Sequence, residues 1–338
     1  MNSPINIGIL GYGYMGEIRK KYLDLNPNCK VKSIFHTNEL KGDFRYFNDW
    51  KEIIADESLD AIFVCLPNYL TKEAVVMSLD SGKHVFAEKP PGISVAQVKE
   101  MIAAEKRSGK ELKFGFNHRY HPAIMKAKEL VDSKEFGNIL WLRGRYGKSV
   151  DENFNYNWRS QKKYAGGGIL MDQGIHMLDL LMYFCDDFQE AKAYASNLYW
   201  KGDVEDNLFA ILRNNKGQVA SLHSTMTQWR YLFALEIFLE KGYITINGLL
   251  SKSGRYGPER LDYAADRAPA PMATHSEIRS LTFNTDLSWE LEINEFVQAI
   301  ISGNKIEIGN STDALKLMTV IEKIYSDCNK SAYEEVVK

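Results

Sequence analysis

The residues best suited to chemistry lie in Gly166-Gly167-Gly168-Ile169-Leu170-Met171-Asp172-Gln173-Gly174-Ile175-His176-Met177-Leu178-Asp179. At 3.6 residues per turn, Asp172, His176, Asp179 and Tyr183 share one helix face. Nearly every other position is apolar, so the helix is expected to be buried on most of its surface, with the polar stripe lining a cleft. An Asp one turn before a His can orient the imidazole and stabilise its charged form, which suits a general base near neutral pH. The competing reading is a solvated face, or an Asp favoured by the dipole near a helix N-terminus.

A second set of candidates sits where short apolar runs end. Ile5 to Leu10 ends on Gly11-Tyr12-Gly13-Tyr14-Met15-Gly16, followed by a helix to about Leu25 and a strand from Val31 to Phe35. Strand, G-x-G-x-x-G, helix, strand is the context of a dinucleotide fingerprint. Gly11 permits the tight turn, Gly13 lets backbone approach a pyrophosphate, and Gly16 allows close packing of helix on sheet. The helix N-terminus then offers unbonded N–H groups to the phosphates. An acid is expected about 20 residues on, to hold the adenosine ribose. His36 stands there, followed by Thr37 and Asn38, so NAD and NADP both remain open as cofactors.

The alternation continues with strands at Asp60–Leu66, Lys83–Ala87 and Leu112–Phe116 and helices at Thr71–Ser81 and from Ser94 to Arg107. Ser94 and Gln97 form a capping box. Strands separated by helices imply a parallel, doubly wound sheet, which binds ligands at the carboxyl ends of its strands. Three polar clusters stand at those ends: Pro67-Asn68, Glu88-Lys89-Pro90 and Asn117-His118-Arg119. Lys89 before Pro90-Pro91 is held extended, and an X-Pro bond can be cis. Beside a nicotinamide ring such a lysine could bond a substrate hydroxyl and share its proton; otherwise it is a surface lysine paired with Glu88.

After a linking helix from His121-Pro122 to Ser133 the pattern changes to period two. Ile139–Tyr146, Glu190–Tyr199, Asn207–Leu212, Gln218–Thr227, Phe233–Leu239 and Tyr243–Ile246 read as strands of an open, mainly antiparallel sheet. The helix of Asp172 and His176 is expected to pack on one face of it. Lys252–Ser280 reads as a long loop, and Ser288–Ile301 and Thr312–Ser326 as helices. The loop between Tyr146 and Gly166 carries Asn157, Trp158, Arg159, Lys162, Lys163 and Tyr164. It either folds over a cleft, bringing Arg159 or Lys163 to an oxygen-rich substrate, or lies flexible on the surface. The expected fold class is α/β, with a Rossmann-type doubly wound domain over residues 1–119 and an α+β domain with a large open, mainly antiparallel sheet over 120–338.

Composition excludes several classes. With 45% apolar and 25% charged residues in 338, this is an ordinary globular chain of about two domains. A net charge of −2 gives no reason to expect nucleic acid or an anionic membrane as partner. Four scattered cysteines without a C-x-x-C pair point to a reducing compartment, with no metal expected. Neither a membrane span nor a signal peptide is expected, so the cytoplasm is the expected location.

Taken in this order, Gly11-x-Gly13-x-x-Gly16, Pro67-Asn68, Glu88-Lys89-Pro90, Trp158-Arg159 and Gly166-Gly167-Gly168 leading to Asp172, His176 and Asp179 resemble the Gfo/Idh/MocA family of nicotinamide-dependent oxidoreductases. The resemblance covers essentially the whole chain. It implies hydride transfer between NAD or NADP and a carbinol or ketone of a sugar, polyol or nucleotide sugar. Lys89 would polarise the substrate hydroxyl, His176 would remove its proton, and Asp172 would orient His176. Cofactor contacts are expected from Gly11, Tyr12, Gly13, Tyr14, Met15, Gly16, His36, Thr37, Leu66, Pro67, Asn68, Glu88, Lys89 and Asn117. Substrate contacts are expected from Lys89, Arg119, Trp158, Arg159, Asp172 and His176. The family also implies that residues 120–338 form the substrate-binding and oligomerisation domain of a homodimer or homotetramer. Two departures stand out: Thr71 where members often carry a His, and His36 where NAD users often carry an acid. The alternatives are a glycosidase that retains NAD for transient oxidation, and a non-catalytic dinucleotide-binding regulator.

Overall fold

The computed structural model describes residues 3–150, 152–251, 254, 256–265 and 278–336. The chain divides into two compact units, one of Met1–Asn117, Lys163–Gly166 and Trp289–Met318, the other of His118–Lys162, Gly167–Ser288 and Thr319–Lys338. The linear division at 119 leaves Trp289–Met318 with the second domain, whereas its contacts put it in the first unit. Among the described residues no helix is long and apolar enough to cross a membrane.

The first unit is built on a six-stranded sheet of order β3-β2-β1-β4-β5-β6. Its strands are β1 (Ile5–Leu10), β2 (Cys29–Phe35), β3 (Arg45–Phe47), β4 (Ala61–Val64), β5 (His84–Glu88) and β6 (Leu112–Gly115). Every pairing is parallel, and the order is that of a doubly wound dinucleotide fold. Strand β4 is buried throughout and reads as an unbroken apolar run, whereas β5 carries His84 and Glu88 at its ends and β6 a buried Lys113. Helices α1 (Tyr14–Leu25), α3 (Asn68–Asp80) and α4 (Val95–Ser108) make the crossovers. Ser94 caps α4 by accepting from Gln97 N–H (3.3 Å), and the Gln97 amide oxygen accepts from Ile93 N–H (3.0 Å). Sequence periodicity passed over β3 and α2 (Trp50–Ala55) because both are short; Asp49 caps α2 through Lys51 N–H (2.9 Å). Late in the chain α8 (Ser288–Ser302) lays Phe296 edge-on to Phe63 and Phe86, at 5.6 and 5.7 Å between ring centres.

The second unit carries an eight-stranded sheet of order β14-β13-β12-β11-β7-β10-β9-β8. The strands are β7 (Ile139–Ser149), β8 (Glu190–Ser196), β9 (Asn207–Arg213), β10 (Val219–Thr225), β11 (Thr227–Leu239), β12 (Gly242–Asn247), β13 (Glu259–Ala265) and β14 (Arg279–Phe283). Among the described residues only the central β7–β10 pairing of this sheet is parallel. Helix α5 (Pro122–Asp132) precedes the sheet, and α7 (Ile175–Cys185) packs on it, with Met177 lying where a side chain on Gly144 would be. The expected loop at Lys252–Ser280 is corrected: β13 and the start of β14 fall within it, and residues 252–253, 255 and 266–277 lie outside the described residues. The strand was disguised by Glu259, which is fully buried and accepts from Ala123 N–H (2.7 Å) and Leu250 N–H (3.1 Å) beside His121 Nδ1 (2.9 Å). A short helix, α6 (Lys162–Ala165), and the long α9 (Ser311–Val336) complete the described elements.

Candidate functional site

In the first unit the fingerprint turn joins β1 to α1. Gly11 has φ +94°, and a Cβ there would stand 2.6 Å from Cys65 O; one on Gly16 would stand 2.1 Å from Gly11 O. Both positions exclude a side chain on local grounds. Gly13 differs: a Cβ would meet nothing within 4 Å. It caps α1 without a side-chain hydrogen bond, and the first N–H groups of a helix have no partner within the helix itself. This is the cradle that a pyrophosphate fits. Tyr14 is exposed and Met15 half-buried beside it, and Tyr12 packs on Phe44.

At the end of β2, Asn38 N–H donates to His36 Nδ1 (3.1 Å) and Tyr46 OH donates to His36 O (3.1 Å), while Thr37 is exposed. The β4 end is tied down locally. Leu66 is buried, Pro67 caps α3, and the Asn68 amide donates to Ala165 O (2.9 Å). At the β5 end Lys89 is half-buried and its bond to Pro90 is cis. The Glu88 carboxylate is engaged within the fold: Arg19 Nε donates to it (2.6 Å), and Arg19 Nη1 donates to Glu292 (2.6 Å). That guanidinium is wholly buried and lies over the Phe86 ring (4.3 Å). Glu88 therefore braces the Lys89 turn against α1 and α8. Asn117, after β6, is buried.

In the second unit the residues around His176 converge. The segment Leu170–Gly174 forms a π-helical turn ahead of α7, so the i, i+4 register assumed from the sequence is broken at Asp172. Its carboxylate accepts from Lys148 Nζ, a partner that sequence periodicity gave no means to find. His176 stacks on His118, ring centres 3.9 Å apart and 17° from parallel. His118 Nε2 lies 3.0 Å from Tyr146 OH. Burial raises Tyr146 well above the usual phenol range, with Tyr256 adding to it, and pushes Tyr256 up to about 12. Both phenols keep their protons near neutral pH. Gln173 donates its amide to Tyr256 OH, closing the chain of contacts back to the residue after Asp172.

Arg119 and Asp179 form a buried bidentate pair (2.6 and 2.8 Å), with the guanidinium 4.9 Å above the Tyr183 ring. The expected polar stripe therefore splits: Asp179 and Tyr183 anchor Arg119 in the interior, and Asp172 stays partly exposed. Trp158 and Arg159 stack on each other (4.4 Å), with Asn157 accepting from Arg159 N–H (3.1 Å).

The helix start at Gly166-Gly167-Gly168 is answered from within. Glu205 accepts from Gly168 N–H (2.9 Å), Leu170 N–H (3.1 Å) and Tyr325 OH (2.8 Å), and its carbonyl accepts from Ile169 N–H (3.1 Å). Burial raises the Glu205 carboxyl, against those hydrogen bonds, which lower it. Glu205 was also missed from the sequence, since a lone carboxylate 37 residues away gives no periodic signal.

A family profile described as an oxidoreductase family with an NAD-binding Rossmann fold matches residues 5–116. A GFO/IDH/MocA C-terminal domain profile matches residues 124–245. Levoglucosan dehydrogenase of Pseudarthrobacter phenanthrenivorans is 27% identical over 268 residues, 65% of this chain and 67% of that protein. Myo-inositol 2-dehydrogenase of Thermotoga maritima is 28% identical over 255 residues, 71% of this chain and 74% of that protein. A solved structure of levoglucosan dehydrogenase with NADH and levoglucosan superposes with a TM-score of 0.86 at 23% identity, covering 97% of this chain and 98% of that one.

Proposed function

The chain belongs to the Gfo/Idh/MocA family of NAD-binding oxidoreductases, and from that premise we propose that it moves a hydride between nicotinamide and a carbinol of a sugar or polyol. Bound NAD supplies the hydride acceptor, and NADH the donor for the reverse reaction. The Gly11–Gly16 turn and the N–H groups of α1 hold the pyrophosphate. Lys89 donates a hydrogen bond to the carbinol oxygen, and His176 takes its proton. Asp172 orients His176 and stabilises the charge it acquires.

The observation that most supports this reading is the fixed plane of His176, stacked on His118, which Tyr146 holds in turn. A base whose ring cannot swing costs little reorganisation when it accepts a proton. Levoglucosan and myo-inositol, the compounds in the names of two relatives, support the choice of a cyclic polyhydroxylated substrate. A second copy of the chain is the partner we assign to the exposed Tyr194, Phe209 and Ile211 on the outer face of the second sheet. Light scattering giving a mass above 38.6 kDa tests that assignment.

Titration with NADH and NADPH, followed by tryptophan quenching, tests the cofactor half of the proposal. Lys89→Ala and His176→Ala test the other half. Each is expected to cut turnover by about 10²–10⁴ while NADH binding persists. Normal turnover in both variants would remove the assigned roles.

A further inference from the structure

Along β7 the residues at even positions face α7 and its π-helical turn. Gly144 lies against Met177, Tyr146 bonds His118 under the stacked His176, and Lys148 bonds Asp172. Gly144 and Tyr146 are buried; Lys148 and Asp172 keep 18% and 23% of their side-chain surfaces exposed. The face thus changes from apolar packing to an ion pair at the strand end, one two-residue step beyond Tyr146. That step is about 6.6 Å, comparable to the span of a six-membered sugar ring.

A partly exposed ion pair contributes little to stability. The pair therefore leaves room for a role beyond the fold. Chemistry gives one. A hydroxyl both donates and accepts, and this pair presents the complement of both: the carboxylate accepts the O–H, and ammonium hydrogens donate to the oxygen. An anion in the same place would meet the Asp172 carboxylate as well as the Lys148 ammonium.

We propose that Lys148 and Asp172 together form an anchor for a second hydroxyl of the substrate ring. The anchor rests on the reading that His176 removes the proton of a sugar carbinol. Lys148 acts on specificity, and its loss leaves the cofactor end of the reaction untouched.

The test compares kcat/KM for wild type, Lys148→Met and Lys148→Arg. The probes are myo-inositol, levoglucosan, methyl glucoside with its singly deoxygenated analogues, and glucose 6-phosphate. In wild type, deleting one particular ring hydroxyl is expected to lower kcat/KM roughly 10–100-fold, mainly through KM. That is less than a fully buried hydroxyl site achieves, because this pair is partly wet. Lys148→Met is expected to lose a similar factor on the parent sugar and nothing more on that deoxy analogue. Lys148→Arg is expected to recover part of the discrimination, and NADH affinity to stay constant throughout. If Lys148→Met discriminates among the deoxy analogues as wild type does, the anchor is refuted while the dehydrogenase reading stands. If wild type turns over none of the probes, that reading fails and the anchor goes with it.

Discussion

Two helices of this chain begin at glycine-rich turns, and the two starts are used in opposite ways. At α1 the glycines bring backbone against backbone, with Gly16 over Gly11 and Gly11 over Cys65, while Gly13 faces nothing within 4 Å. At the turn before α7, a Cβ on Gly167 would stand 2.0 Å from Tyr325 OH, and one on Gly168 would stand 2.1 Å from Glu205 O. There the exposed N–H groups are already held by Glu205. Both ends carry the same partial positive charge and the same donors that lack a partner within their own helix. What separates a ligand site from a positioning device is whether the fold delivers its own carboxylate to them.

The sharpest break in this comparison comes from adding one methyl group to each start. Gly168→Ala forces a Cβ onto Glu205 backbone atoms, which a side-chain rotation cannot relieve. It is expected to cost at least about 3 kcal/mol in a denaturant melt. A wild-type melt for this variant would mean that the glycine is there for another reason. Gly13→Ala is expected to leave stability within about 0.5 kcal/mol of wild type, because its φ of −80° suits alanine and the space is empty. Its effect belongs to binding: the NADH Kd should rise at least about tenfold, or 1.4 kcal/mol. Unchanged NADH affinity would take the pyrophosphate away from the start of α1.

The same contrast explains what the sequence made legible. The parallel strands were readable because burial on both faces leaves nothing but apolar residues in Ala61–Val64 or Leu112–Gly115, apart from buried Lys113. Lys89 and His176 stood out through motif and spacing. What escaped depends on partners far away in the chain. Glu205 and Lys148 look like surface charges until Gly168 and Asp172 are set beside them. Glu292 reads as part of a polar helix face, yet it is fully buried against an arginine 273 residues earlier. The pairing of Arg119, an expected substrate contact, with Asp179, 60 residues on, gave no local signal either. The π-helical turn was invisible because a fixed 3.6-residue period was assumed where the helix widens.

A smaller perturbation separates positioning from binding. Glu205→Gln turns one acceptor into an NH₂ group that faces the donors of the glycine turn. It is expected to cost about 1–3 kcal/mol of stability. Turnover should fall several-fold, because the segment carrying Asp172 and His176 loses part of its anchor. NADH affinity should not move, since the α1 start belongs to the other unit. A variant that lost NADH binding as well would undo the distinction between the two starts.

The finest test is the pH dependence of that same variant. Burial raises the Glu205 carboxyl above the ordinary glutamate value, outweighing the hydrogen bonds from Tyr325, Leu170 and Gly168. The folded chain then holds this proton more firmly than the unfolded chain does. Its contribution to stability is full below the unfolded pKa and is lost as pH rises through the folded one. Glutamine has no such proton. The melting difference between wild type and Glu205→Gln should therefore be widest in acid and narrow as the pH climbs above 4.5. Gly13→Ala changes no titrating group, so its difference from wild type should stay flat over the same range. If the Glu205→Gln difference instead widened with pH, the three hydrogen bonds would outweigh burial. The α7 start would then favour an ionised carboxylate, as the α1 start is proposed to favour an ionised phosphate, and the two would differ only in where the anion comes from.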